Sequence, residues 1–205
     1  MIRYSYFELI SLFVIGFICV SCEESAFWQD SLREEVREVP QDYRPLLKVG
    51  KKWQWTSLDH PTFIKEYEVV SDTIISGQTW YNITISTMNN GREKIDGVLM
   101  MEDNMKVFFF DHLFTYDFGL SEGEEYCYDN CKVKLIQRFE QDVNGITRRC
   151  YEFERSEKLG SEIDRDSFRI IEGIGDPHHP IGMFGDDLYR LDSCIEDGKV
   201  IYSCP

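Results

Sequence analysis

Positive charge is scarce in this 205-residue chain: 22 Lys and Arg stand against 37 Asp and Glu, a formal net charge of −15 at pH 7. Nucleic-acid binding, which needs Lys and Arg against phosphates, is therefore not expected. Nor is a domain that lies flat on anionic lipid. Hydrophobic runs are scarce too. The one membrane-like stretch, Leu9–Val20, is twelve residues long. As a helix it would rise about 18 Å, whereas a bilayer core of about 30 Å takes roughly 20 residues. Also absent are a Gly-x-Ser-x-Gly elbow, a zinc-protease helix motif and a second Cys/His pair to complete a zinc site. No helix-length apolar period occurs after Gly50. What is present in quantity is apolar and aromatic material, 42% and 14% of residues, enough for the core of one domain.

The amino-terminal run has the length of the apolar part of a removable export signal. It ends in Val20-Ser21-Cys22-Glu23-Glu24. A small residue before a cysteine at the end of such a run resembles the lipobox of bacterial lipoproteins. The resemblance implies removal of residues 1–21, acylation of Cys22 and attachment to membrane lipid. Two positions depart from the pattern: Glu8 precedes the run, and Cys19 stands where the lipobox usually has Leu. An ordinary cleaved signal and an uncleaved anchor are the alternatives. Removing residues 1–21 takes one base (Arg3) and one acid (Glu8), so the balance stays at −15. Several acyl chains on one cysteine would make release slow, since each buried methylene contributes about 0.8 kcal/mol. Glu23-Glu24 partly matches the acidic signal that directs lipoproteins of the Bacteroidota type to the cell surface; a solvated linker is the plainer reading.

Seven cysteines need separate accounts. Cys19 would leave with the signal and Cys22 would carry lipid. Cys127, Cys131, Cys150, Cys194 and Cys204 remain for an oxidising compartment, an odd number. If Asn144-Gly145 is a two-residue turn, Cys150 faces Phe139. If Asp197-Gly198 is another, Cys194 faces Ile201. Cys127–Cys131, closing the loop Tyr128-Asp129-Asn130, is the expected local disulfide.

Residues 22–47 read as a lipidated tether, with Pro40 and Pro45 closing any short helix in it, or as a helix packed on the domain. Residues 48–205 read as an all-β domain. Strands are expected at 51–57, 63–75, 79–87, 98–102, 105–110, 114–120, 132–140, 146–155, 168–171, 188–195 and 199–202. Turn signals separate many of them, among them Ser76-Gly77, Asp103-Asn104, Asn144-Gly145 and Asp197-Gly198. Such spacing predicts an antiparallel meander, a curled open sheet or a barrel-like domain, with a sandwich as the alternative.

Four segments carry a further resemblance. Val69–Tyr81 is similar to a recurring "GDT-x-x-NG-x-x-Y" hairpin, and Phe114–Leu120 to a "YDF" strand. Ile171–Gly175 is similar to an "EGIG" segment and Cys194–Gly198 to a "C-x-x-DG" hairpin. Together they resemble a family of β-rich, secreted or lipid-anchored proteins of Bacteroidota whose activity is uncharacterised. The resemblance implies an outer-membrane location, periplasmic or surface-exposed, and supplies no catalytic residues.

Other candidate chemistry has an ordinary structural reading beside it. Asp117-Phe118-Gly119 copies a kinase tripeptide without the glycine-rich or His-Arg-Asp loops that give it meaning. His178 and His179, beside Asp176, are weak metal candidates; surface-loop histidines are commoner, and no metal or other cofactor is expected. Glu122, Glu124, Glu125, Asp164 and Asp166 suit solvated turns better than a glycosidase pair. Trp53, Trp55, Trp80, Tyr81 and Phe108–Phe110 could stack on sugars, but strand alternation makes one face of them core. Asp30-Ser31-Leu32 and Asp72-Thr73-Ile74 resemble an O-glycosylation acceptor. The expected function is a non-enzymatic binding or scaffolding domain for an unknown protein or glycan. A hydrolase acting on an extracellular polysaccharide or peptide is the competing class. An apolar-ligand carrier would need an empty apolar lumen.

Overall fold

The structure is a computed structural model, and it describes residues 38–109, 114–128, 131–159, 162–181 and 189–204. The expected export signal, Cys22, Glu23-Glu24, Asp30-Ser31-Leu32 and most of the expected tether lie outside the described residues.

The domain is all-β and antiparallel, with twelve strands among the described residues. The first six are β1 (Lys52–Ser57), β2 (Phe63–Ile75), β3 (Gln78–Asn89), β4 (Arg92–Asp103), β5 (Lys106–Phe109) and β6 (Phe114–Asp117). They continue with β7 (Glu125–Tyr128), β8 (Cys131–Val143), β9 (Ile146–Leu159), β10 (Glu162–Ile171), β11 (Tyr189–Glu196) and β12 (Lys199–Ser203). A curled, half-barrel sheet has the order β12-β11-β1-β2-β3-β4-β5-β6, and a second sheet the order β10-β9-β8-β7. Each run of consecutive strands is a meander, as the turn spacing predicts. The return of β11 to pair with β1 is the one long-range closure.

Tight turns fix these registers. Asn144 and Gly145 both have positive φ (54° and 77°), the two-residue turn whose twist matches that of antiparallel strands. Phe139 accordingly faces Cys150, as the hairpin arithmetic requires. At Asp197-Gly198 the same geometry holds, but a bulge changes the outcome. Glu196 faces Lys199 and Ile195 faces Val200, whereas Cys194 faces Tyr202. Ile201 is the extra residue, so the expected Cys194–Ile201 pairing is off by one. The turn after β4 is also shifted: Asp103 pairs with Lys106, which leaves Asn104 and Met105 at the corner.

Alternation builds the core. On β1 one face carries Trp53, Trp55 and Ser57, all buried. Trp53 and Trp55 stack at 6.4 Å, and Tyr67 of β2 meets Trp55 edge-on at 5.2 Å. Between the sheets runs an aromatic seam. Phe118, just past β6, packs on Tyr151 of β9 at 5.0 Å, and Phe153 stacks on Phe168 of β10 at 5.2 Å. Tyr116 lies 6.4 Å from Phe168. Rings thus make up much of the described core.

The domain begins earlier than residue 48. Leu46 and Leu47, expected in the tether, are fully buried members of the core. Residues 39–48 form a strap laid on the domain, and the strap makes one wall of the site described next.

Candidate functional site

The strap has no regular secondary structure beyond a turn, so its backbone groups need other partners. Two carboxylates supply them, one partly buried (Glu102) and one buried (Glu172). Glu102, at the end of β4, accepts hydrogen bonds from Tyr43 Oη (2.6 Å), Leu46 N (3.0 Å) and Leu47 N (2.7 Å). Glu172, just past β10, accepts one from Arg44 N (3.4 Å) and pairs with Arg149 at 3.3 Å; Arg149 also pairs with Asp42. Burial pushes both Glu102 and Glu172 above the ordinary carboxylate range, against the pull of these donors.

Lys51 completes the underside. It precedes β1 in phase with Trp53 and Trp55, so its side chain enters the core and is 0% exposed. Its Nζ donates to Pro45 O (3.0 Å), pairs with Glu196 Oε2 at 3.2 Å and lies 5.7 Å from the Trp53 ring centre. Burial lowers its proton affinity. Glu196 is held on its other oxygen by Lys48 at 3.0 Å, and Lys48 also reaches Asp197 at 2.7 Å. Burial raises the Glu196 pKa, but the two lysines outweigh it and hold the carboxyl below its usual range.

Above this network opens a cleft of about 440 Å³. Its walls are Tyr43, Arg44, Pro45 and Lys48 of the strap, Ile146 and Arg148 of β9, Glu196 of β11 and Ile201 of β12. Arg148 is only 5% exposed. Its Nη1 donates to Glu172 O at 3.0 Å, and its Nε makes no hydrogen bond among the described residues. A buried donor left unmade costs about 1–3 kcal/mol. Burial and the adjacent Arg44 charge both lower the Arg148 pKa from its ordinary value. The space for this crowding comes from Gly173 of the "EGIG" segment, at φ +69°. A Cβ there would stand 3.1 Å from both Arg148 Nη1 and Arg44 Cβ.

No protein-family model matches this chain, and no curated protein matches it. Among solved structures it is similar to a Bacteroides fragilis NCTC 9343 protein described as exported, with a YMCC-like fold. Identity is 9%, the alignment covers 75% of this chain and 99% of that one, and the TM-score is 0.46. A similarity at that level carries nothing about what this chain does.

The sequence-derived candidates fall elsewhere. Cys127 faces Lys132 across the β7–β8 hairpin and is exposed, while Cys131 is buried. Directly opposed residues share a face and neighbours alternate, so the two cysteines occupy opposite faces and are not brought together. His178 is exposed; His179 Nδ1 lies 3.1 Å from the buried Asp176, whose other oxygen accepts His178 N at 2.7 Å. Among the described residues no His, Cys, Asp or Glu group has the form of a metal site. Asp176 instead ties its own loop, whose carbonyl accepts from Trp55 Nε1 at 3.3 Å.

Tyr116 and Phe118 of the tripeptide region are both buried and stacked at 5.9 Å, while Asp117 Oδ1 accepts Gly119 N at 2.8 Å. Glu122 accepts Arg138 N, Glu124 accepts Ser121 N, and Glu125 pairs with Lys132, so all three serve turns and strand faces. Trp53 and Trp55 are core residues. Asp72-Thr73-Ile74 is exposed on the outer part of β2. None of these candidates lines the cleft. Arg148 was missed because a threonine-arginine-arginine run on a strand looks like a solvated face. The partial signal was Ile171–Gly175, whose glycines mark a close approach of chain segments.

Proposed function

We propose that this domain is the binding or scaffolding part of a lipoprotein held at the outer membrane through acylated Cys22. The observation that carries binding over catalysis is the chemistry of the cleft. Glu196 is the one carboxylate among its lining residues, and both of its oxygens are engaged by lysines. Acid-base cleavage of a glycosidic bond takes two carboxylates about 5–10 Å apart across a groove. The anchor rests on Val20-Ser21-Cys22 at the end of an apolar run of export-signal length.

The experiment compares the parent with Cys22→Ala in cells fed an alkyne fatty acid. Label and membrane association should both be lost in the variant. A variant equally membrane-bound would overturn the anchor. Release of reducing ends or new amino termini from extracellular polymers by the purified protein would replace the binding reading with the hydrolase.

A further inference from the structure

Two arginines, Arg44 and Arg148, line the cleft. Among the described residues neither Arg148 nor the side chain of Arg44 makes an ion pair. The nearby carboxylates are already committed: Glu172 to Arg149 and the Arg44 backbone, Glu196 and Asp197 to Lys48 and Lys51. Three cations, Arg44, Lys48 and Arg148, thus line the cleft against one carboxylate, Glu196, in a protein of net charge −15. At physiological salt the Debye length is about 8 Å, so a ligand inside the cleft feels these groups far more than the distant acidic surface.

The wall beside them is mixed. Ile146 and Ile201 face the cleft with the strap residues Tyr43 and Pro45. Arg148 is held from behind by the Glu172 carbonyl and hemmed in over Gly173, so its plane is fixed before any ligand arrives. A planar guanidinium held in place, with only Nη1 engaged, is the kind of group that pairs with a carboxylate. The volume, about 440 Å³, lies within the size range of small-molecule sites. Glu196 in the same wall works against a doubly charged group.

We propose that this cleft binds a small monocarboxylate with a short apolar body, its carboxylate on Arg148 and Arg44 and its body against Ile146 and Ile201. The proposal deepens the binding reading above and rests on it.

The test is calorimetric titration of the full anchored chain in nanodiscs with isobutyrate, its neutral amide isobutyramide, and inorganic phosphate. Isobutyrate should saturate, and isobutyramide should bind at least about tenfold more weakly, because it brings no charge to the fork. Arg148→Met, which keeps the stem and removes the fork, should weaken isobutyrate by about tenfold or more. Arg44→Gln, a change at an exposed residue, should weaken it by about threefold and guards against misfolding of the first variant. The proposal is overturned if isobutyrate does not saturate or if the amide binds within about twofold of it. Unchanged affinity in Arg44→Gln and any folded Arg148→Met would also overturn it. Phosphate that binds in an Arg148-dependent way where isobutyrate does not would overturn the carboxylate assignment. Each of these failures leaves membrane partition of the parent and Cys22→Ala untouched, so failure of the ligand and failure of the anchored-domain reading are distinguishable.

Discussion

The aromatic seam and the strap are both interior, yet they are held by different physics. Phe118, Tyr151, Phe153 and Phe168 pack ring on ring between the two sheets, and removal of apolar area from water stabilises them. The strap buries Leu46 and Leu47 and lays the Tyr43 ring 6.3 Å from Phe118, and the rest of its fastening comes from Glu102, Glu172 and Lys51. Non-directional burial tolerates changes of pH and of backbone detail. A network of hydrogen-bonded charges does not, because each member left unpaired costs as much as the pairing gained. The strap, not the seam, is therefore where this fold can be loosened locally, and the cleft has the strap as a wall.

The sharpest way to test that contrast is to damage each region in turn. Phe153→Ala should lower the unfolding free energy by about 3–5 kcal/mol, measured by denaturant titration, with loss of cooperativity throughout the domain. Glu102→Ala strands Tyr43 Oη and two backbone N–H groups and should cost about 2–4 kcal/mol. Its signature should be local: trypsin cutting after Lys48 should accelerate more than global unfolding does. Equal acceleration at all sites would mean that strap and seam form one cooperative unit.

A pH series separates the regions further. Burial raises the folded pKa of Glu102 above its ordinary value of 4.5. Between those values the folded state binds more proton than the unfolded state, so stability falls as pH rises. The titration-linked contribution of Glu102 is thus fully present below 4.5 and is lost as pH climbs through the raised folded value. The difference in unfolding free energy between wild type and Glu102→Gln should shift toward wild type as pH is lowered from 7 toward 4.5. The Phe153→Ala difference should stay flat over the same window. A flat Glu102→Gln difference would show that its hydrogen bonds cancel the burial.

The mildest probe is thiol reactivity. Burial pushes the Cys194 thiol, beside Lys51, up to about 12, and raises Cys150 as well. Neither should react with iodoacetamide in the native protein at pH 8, as mass spectrometry would register. Exposed Cys127 should react without reductant. If it reacts only after reduction, it is bridged, and the Cys127–Cys131 hairpin must differ from the register described above. Native labelling of Cys194 would mean that the strap opens readily.

Much of the strand pattern was legible residue by residue. Phe63–Ile75 is a strand over its whole expected length, because β-branched and aromatic residues run up to a Ser-Gly turn. The start of β4 was not legible: Arg92–Gly97 is exposed and carries little apolar alternation. It is a strand because β3 supplies a ladder from Asn89 onward, an interaction that belongs to the pair and not to the segment. β7 was missed for the same reason, since Glu125–Tyr128 borrows its register from β8. The cleft was less legible still. Tyr43, Arg44, Arg148 and Glu196 are scattered along the chain, and their types are ordinary for a tether, a strand face and a turn.

By itself the sequence determined the all-β class, the turns at Ser76-Gly77, Asn144-Gly145 and Asp197-Gly198, and the faces of Trp53, Trp55, Tyr116 and Phe118. These follow from φ preferences and a period of two, which act over a few residues. Tertiary structure alone decided that β11 pairs with β1, that Leu46 and Leu47 enter the core, and that Lys51 and Arg148 lie inside. Those outcomes depend on partners far away in the chain, such as Glu102, Glu172 and Glu196, and burial of a charge is tolerable only where such partners happen to converge.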